Sequence, residues 1–88
     1  MTVLETAIKT YGKDMQLNVA IEEFSELIKE ICKNKRGREN IDGITEEIAD
    51  CYIMLEQLLL IYGIENDEIN RVIGDKLDRL SKRIENGA

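Results

Sequence analysis

The sequence predicts an all-α fold of four helices, and three observations carry that expectation. Proline is absent while Leu, Ile, Glu and Lys are abundant, a composition that favours helices. Apolar residues recur at i, i+3 and i+4 along most of the chain, the period of a helix that buries one face. Glycines stand where that pattern stops, at Gly12, Gly63 and Gly87. With 88 residues there is room for one domain, spanning 1–88, and a single core.

The first helix is expected from about Val3 to Tyr11, with Thr2 and Glu5 spaced as a capping box and Gly12 as its stop. A longer second helix follows from about Asp14 to Lys33. Its apolar residues Leu17, Ala20, Ile21, Phe24, Leu27, Ile28 and Ile31 keep the helical period. The polar stretch NKRGRENIDG, residues 34–43, contains two glycines and is expected to be a loop. Thr45 is placed to cap a third helix that reaches Tyr62 and ends at Gly63. Asn66 or Asp67 is placed to cap a fourth, with Ile69, Val72, Ile73, Leu77, Leu80 and Ile84 along one side and Asn86-Gly87 closing it. No internal repeat or low-complexity segment interrupts this order.

Charge and residue types narrow the function. The chain carries 18 acidic and 12 basic side chains, a net charge of −6, which opposes a general grip on nucleic acid or an anionic membrane. Histidine is absent, so Ser-His or Cys-His catalysis within one chain and His-ligated zinc or di-iron sites are excluded. The N-terminus lacks a basic stretch followed by an apolar run. The most apolar window, Cys51 to Ile64, is short and broken by Glu56 and Gln57. A cytoplasmic protein with Cys32 and Cys51 as buried free thiols is therefore expected.

The third helix is unusual because it is apolar around nearly its whole circumference. At about 100° per residue, Ile48, Leu55 and Leu59 occupy one side, Ile53 and Leu60 another, and Met54, Leu58 and Ile61 a third. Three companion helices cannot cover all of that, so association of chains through this central helix, as a homodimer or homotetramer, is expected.

Two carboxylates interrupt the apolar pattern. Glu47 and Asp50 lie one turn apart within the arc of Met54, Leu58 and Ile61, where an uncompensated charge is costly. On the second helix Glu23 and Glu26 are also one turn apart, with Glu23 at the edge of the apolar stripe. An antiparallel packing of the two helices would turn both pairs toward one another. Four converging carboxylates resist ionising together, and a hard divalent cation such as Mg²⁺ or Mn²⁺, which takes oxygen ligands, resolves the conflict. Such spacings also occur on solvated helix faces, but there Glu usually has a base four residues on. Glu26 has Glu30 at that position, and Glu46 and Glu47 have Asp50 and Cys51.

Basic residues complete a recognisable set. Lys76, Arg79 and Arg83 lie at i, i+3 and i+7 beside the apolar line of the fourth helix, a placement from which they can reach over a bundle edge. Lys33, Lys35, Arg36 and Arg38 crowd the loop after the second helix, where solvated charges are the expected state, and Lys76 and Arg83 can equally form ordinary ion pairs with Asp75, Asp78 or Glu85. Acidic residues that hold cations, flanked by Lys and Arg, suit a polyphosphate.

The run YGKDMQLNVAIEEFSELIKEICK, followed by TEEIADCYIML, resembles the MazG-like all-α nucleoside triphosphate pyrophosphohydrolases. Their signature is ExxE followed, after one helix–loop interval, by ExxD; here Glu23-x-x-Glu26 and Glu47-x-x-Asp50 match with 20 residues between them. Gln16, seven residues before Glu23, and the Lys76, Arg79, Arg83 pattern also look like the family, so the likeness spans nearly the whole chain. It implies a helical bundle that pairs into dimers or tetramers and the reaction NTP + H₂O → NMP + PPi, with Mg²⁺ required. It further implies that Glu23, Glu26, Glu47 and Asp50 ligate the metal and that Glu22 or Glu46 helps deprotonate the attacking water. Gln16, Lys76, Arg79 and Arg83 would bind the substrate, the bases stabilising the leaving pyrophosphate. The chain lacks the His or Trp that base-selective relatives use, leaving Tyr11, Phe24, Tyr52 and Tyr62 for stacking. The implied role is cleaning of the (deoxy)nucleotide pool.

Readings from other classes explain less. A non-catalytic helical dimerisation module, such as an adaptor or antitoxin, accounts for the apolar third helix but leaves Glu47 and Asp50 unexplained. A ferritin-like di-metal oxidoreductase needs Glu-x-x-His pairs. A DNA-binding regulator has only KNKRGR in its favour.

Overall fold

The computed structural model describes residues 1–87, which form four helices and no strand. Helix α1 spans Val3–Tyr11. It is opened by the capping box: the Glu5 amide donates to Thr2 Oγ1 at 3.1 Å and the Thr2 amide donates to Glu5 Oε1 at 2.9 Å. Gly12 closes it, its amide reaching Ile8 O at 2.8 Å, and a φ of 91° there favours the residue that lacks a Cβ. Helix α2 starts at once and runs over Lys13–Lys35.

The connection to the next helix is shorter than the sequence suggests. Helix α3 covers Ile41–Tyr62, four residues before the expected cap, so Gly43 and Thr45 are helical. Thr45 does not cap. Its hydroxyl donates back to Ile41 O at 2.8 Å, the in-helix alternative open to Ser and Thr. The start is fixed from outside instead. Asn40 donates to Glu30 O at 2.9 Å and to the Glu30 carboxylate, and accepts from Asn34 Nδ2 at 3.2 Å. These bonds fold the loop back onto the end of α2.

Helix α3 ends in a Schellman motif. The Ile64 amide reaches Leu59 O at 2.9 Å and the Gly63 amide reaches Leu60 O at 3.4 Å. Gly63 takes the left-handed φ of 67° this needs. Helix α4 then spans Asn66–Glu85, with Glu65 rather than Asn66 or Asp67 in the flanking position and no side-chain cap.

Helices α2 and α3 pack as an antiparallel hairpin, with α1 laid against both. Their shared interior is small: Ala20, Cys51 and Met54 are the buried apolar residues, joined by Gln16 and Gln57. Cys51 is buried as expected, but Cys32 is exposed, because the α2 period turns it away from α3. Helix α4 buries none of its residues and makes at most a marginal contact with the other three. Four helices are present, but one chain does not close them into a bundle.

The dimensions reflect this. The radius of gyration is 16.4 Å, against about 12 Å for a compact chain of this length. No helix among the described residues is long and apolar enough to cross a membrane.

Candidate metal centre

The α2–α3 hairpin brings together carboxylates that are far apart in sequence. Glu23 of α2 and Glu47 and Asp50 of α3, all half-buried, each place a carboxylate oxygen within 4.8 Å of the others. The antiparallel register is held next to the cluster by Cys51, whose thiol donates to Glu23 O at 3.6 Å. The i, i+3 spacing of Glu47 and Asp50 puts both on one turn, and Glu23 meets them from the opposite helix.

The electrostatics follow from that crowding. The Glu23 carboxyl is raised to about 7, chiefly by the hydrogen bond it shares with Asp50, then by burial and by the charges of Asp50, Glu47 and Glu22. Glu47 is also raised, first by burial and then by Asp50, Glu26, Glu30 and Glu46. One of its oxygens, Oε2, is buried with no hydrogen-bond partner. Burial and the same carboxylates push the Cys51 thiol up, so it behaves as packing rather than as a nucleophile.

The remaining expected residues fall into four groups. Glu26 is half-buried on α2 and its charge acts on Glu47, but it stands outside the three-carboxylate cluster. Glu22 and Glu46 are exposed beside it. Gln16 is buried in the hairpin interior, two turns from Glu23. Lys76, Arg79 and Arg83 are exposed on α4, a helix that does not pack on α2 within one chain.

Sequence reasoning passed over Glu30. It is half-buried, receives Asn40, and lies 3.6 Å from Lys33 Nζ, and these partners hold its carboxyl below the usual range, Asn40 most strongly. A Cβ at Gly43 would sit 3.4 Å from its carboxylate. The signal was the spacing Gln16, Glu23, Glu30: polar residues seven apart on the face that meets α3.

The donor set can be tested against a cation by its chemistry. Three carboxylates at this separation, two of them with raised pKa and one with an orphaned buried oxygen, lack the positive charge that stable burial requires. An all-oxygen set fits a hard divalent ion. No family model, curated protein or solved structure matches the chain.

Proposed function

We propose that the chain is a Mg²⁺-dependent nucleoside triphosphate pyrophosphohydrolase of the MazG-like kind, acting on NTPs or dNTPs in the cytoplasm. The observation that carries this reading is the unpartnered Glu47 oxygen inside the Glu23–Glu47–Asp50 cluster. It stands where ExxE and ExxD meet across two helices.

Glu23, Glu47 and Asp50 would hold Mg²⁺ or Mn²⁺, with Glu26 one turn along α2 from Glu23 as a fourth ligand. When bound, the cation supplies the positive charge that neutralises the cluster and polarises the triphosphate. Glu22 or Glu46, both exposed at the rim, accepts the proton of the attacking water as its oxygen bonds to the α-phosphorus. The bond from that phosphorus to the bridging oxygen breaks, and pyrophosphate leaves with the electron pair. Lys76, Arg79 and Arg83 offset the charge that grows on the leaving group. Gln16 supports the site from the interior. Tyr11, Tyr52 and Tyr62 are exposed rings on which a base can stack, whereas Phe24 is half-buried.

Pyrophosphate release from a panel of NTPs and dNTPs, with Mg²⁺, Mn²⁺ or EDTA, tests the reading. Release should require the cation and fall by about 100-fold or more in Glu47→Gln, the scale of losing one electrostatic stabiliser. Release from no nucleotide, together with no effect of Mg²⁺ on melting, would leave the second reading: a non-catalytic helical association module. The uncovered apolar edge of α4 favours that alternative.

A further inference from the structure

Helix α2 ends on a cluster of basic residues that the structure gathers around one hollow. Residues 33–38, KNKRGR, hold four of the chain's 12 bases and no acid. On an open loop such bases would be solvated separately. Here a Schellman closure draws three of them together. The Gly37 amide reaches Asn34 O at 2.9 Å and the Arg38 amide returns to Lys33 O at 3.2 Å, the chain reversing at Gly37 with a φ of 99°. Arg38 is pinned at its carbonyl too, which accepts from Asn34 Nδ2 at 3.3 Å. Lys33, Arg36 and Arg38 thereby line a cavity of about 260 Å³ at the tip of the hairpin.

We propose that this cavity binds a compact phosphate dianion, either inorganic phosphate or the terminal phosphate of a small phosphorylated molecule. Three observations select that ligand.

The first is unspent charge. Lys33 leans on Glu30 at 3.6 Å, but Arg36 and Arg38 have no ion-pair partner among the described residues. Acids stand close enough in sequence to supply one. Glu39 follows Arg38 directly, yet it lines a separate depression with Asn40, Ile41 and Asp42. The tip is divided, with bases around one hollow and acids around another. Two free guanidinium groups match the charge of about −2 that a phosphate monoester carries near neutral pH, and their planar forks suit its oxygens.

The second is that the helix end does not consume these bases. A base near a helix C-terminus often bonds the last carbonyls. Among the described residues none of the three side chains donates to a backbone carbonyl. The carbonyls of Cys32, Lys33 and Asn34 are already taken by the amides of Arg36, Gly37 and Arg38. The forks are left for a group from outside.

The third is shape. The bases surround a hollow rather than run as a stripe, whereas a nucleic-acid backbone is held by bases strung along it. The chain's net charge of −6 opposes such a polyanion over the rest of the surface. The closure at Gly37 and the Asn34 bond fix the backbone under the bases before any ligand arrives, so the cost of ordering falls on side chains alone. Lys33 lies ten residues past Glu23, about 15 Å along α2. The cavity therefore stands apart from the carboxylate cluster and does not depend on the pyrophosphohydrolase reading.

The test follows the backbone amide and arginine Nε signals of nitrogen-15-labelled protein by NMR while sodium phosphate is added in EDTA at constant ionic strength. Signals of residues 33–38 should shift and reach half-saturation near about 1 mM, the strength of two or three charge-assisted bonds. Arg36→Gln and Arg38→Gln should each raise that midpoint by about tenfold. Lys35→Gln, at a residue outside the cavity lining, should move it by no more than about twofold. These three side chains are exposed, and unchanged melting of the variants checks that they fold. Glycerol phosphate repeats the titration as a monoester; saturation by either ion bears the proposal out, and the tighter of the two names the source. A response that never saturates, an equal response to sodium chloride, or an equal loss in Lys35→Gln overturns it. So do shifts confined to Lys76, Arg79 and Arg83, or an oligothymidylate held more tightly at the tip than either small ion. Saturation at the tip without pyrophosphate release from any nucleotide sinks the catalytic reading alone, and release with an indifferent tip sinks this site alone.

Discussion

Titration of Glu23 makes the acidic cluster visible in the stability of the cation-free protein. Its pKa lies near 7 in the folded chain against 4.5 for the free side chain, so between these values the folded state binds the extra proton. Stability that depends on it is fully present below 4.5 and is lost as pH rises through 7. A shift of that size corresponds to roughly 3.4 kcal/mol at full strength, and solvent screening of a half-buried group reduces it to about 1–2 kcal/mol. For a chain of this length 1 kcal/mol moves the melting temperature by about 5 °C, so a fall of about 5–10 °C is expected between pH 5 and pH 7.5. No histidine titrates in this window; the raised carboxyl of Glu47 adds to the fall with the same sign, and the lowered carboxyls of Glu5 and Glu30 act at more acidic pH with the opposite sign. The assay is a melting series in EDTA at fixed protein concentration, repeated with Glu23→Gln. A flat parent profile, or an unchanged slope in the variant, would refute the reasoning. Saturating Mg²⁺ should turn the slope upward, since the cation competes best when the carboxyls have lost their protons.

Two further outcomes follow from the hairpin and its ends. Cys32 is exposed and Cys51 buried with a raised pKa, so an aromatic disulfide reagent should modify one thiol quickly and the second only at the rate of unfolding. Met54→Ala, which empties one of the three buried apolar positions, should cost about 2–4 kcal/mol in chemical denaturation; a loss under about 1 kcal/mol would mean that the hairpin interior is not the core.

Much of this arrangement was legible in the sequence where the signal was local. Thr2 and Glu5 cap α1 because the capping box needs only four consecutive residues, and Gly12 and Gly63 end helices because few other residues tolerate their φ. Glu23, Glu47 and Asp50 stood out because a carboxylate on an apolar arc is expensive wherever the chain folds. Local reasoning failed where a partner across the loop decides. Thr45 looked like a cap, yet α3 begins four residues earlier because Asn40 is tied to Glu30, ten positions back. Gly43 reads as a loop residue, yet it lies inside α3 beside the Glu30 carboxylate. Glu23 and Glu26 share the i, i+3 spacing of Glu47 and Asp50, yet only Glu23 joins the cluster, a distinction that spacing motifs do not make. Periodicity marked the apolar side of α4 correctly but is silent about what that side touches.

The corner at Gly63 has a consequence for how the protein comes into being. Helices α1 to α3 pack through contacts between chain neighbours, the kind that form fast and need only one molecule. The inner edge of α4, held away from them by a three-residue connection, gains nothing from that event and stays wet. Local opening is then unequal along the chain, cheap for α4 and costly for the hairpin, so the amides of α4 should exchange with solvent long before those of α2 and α3.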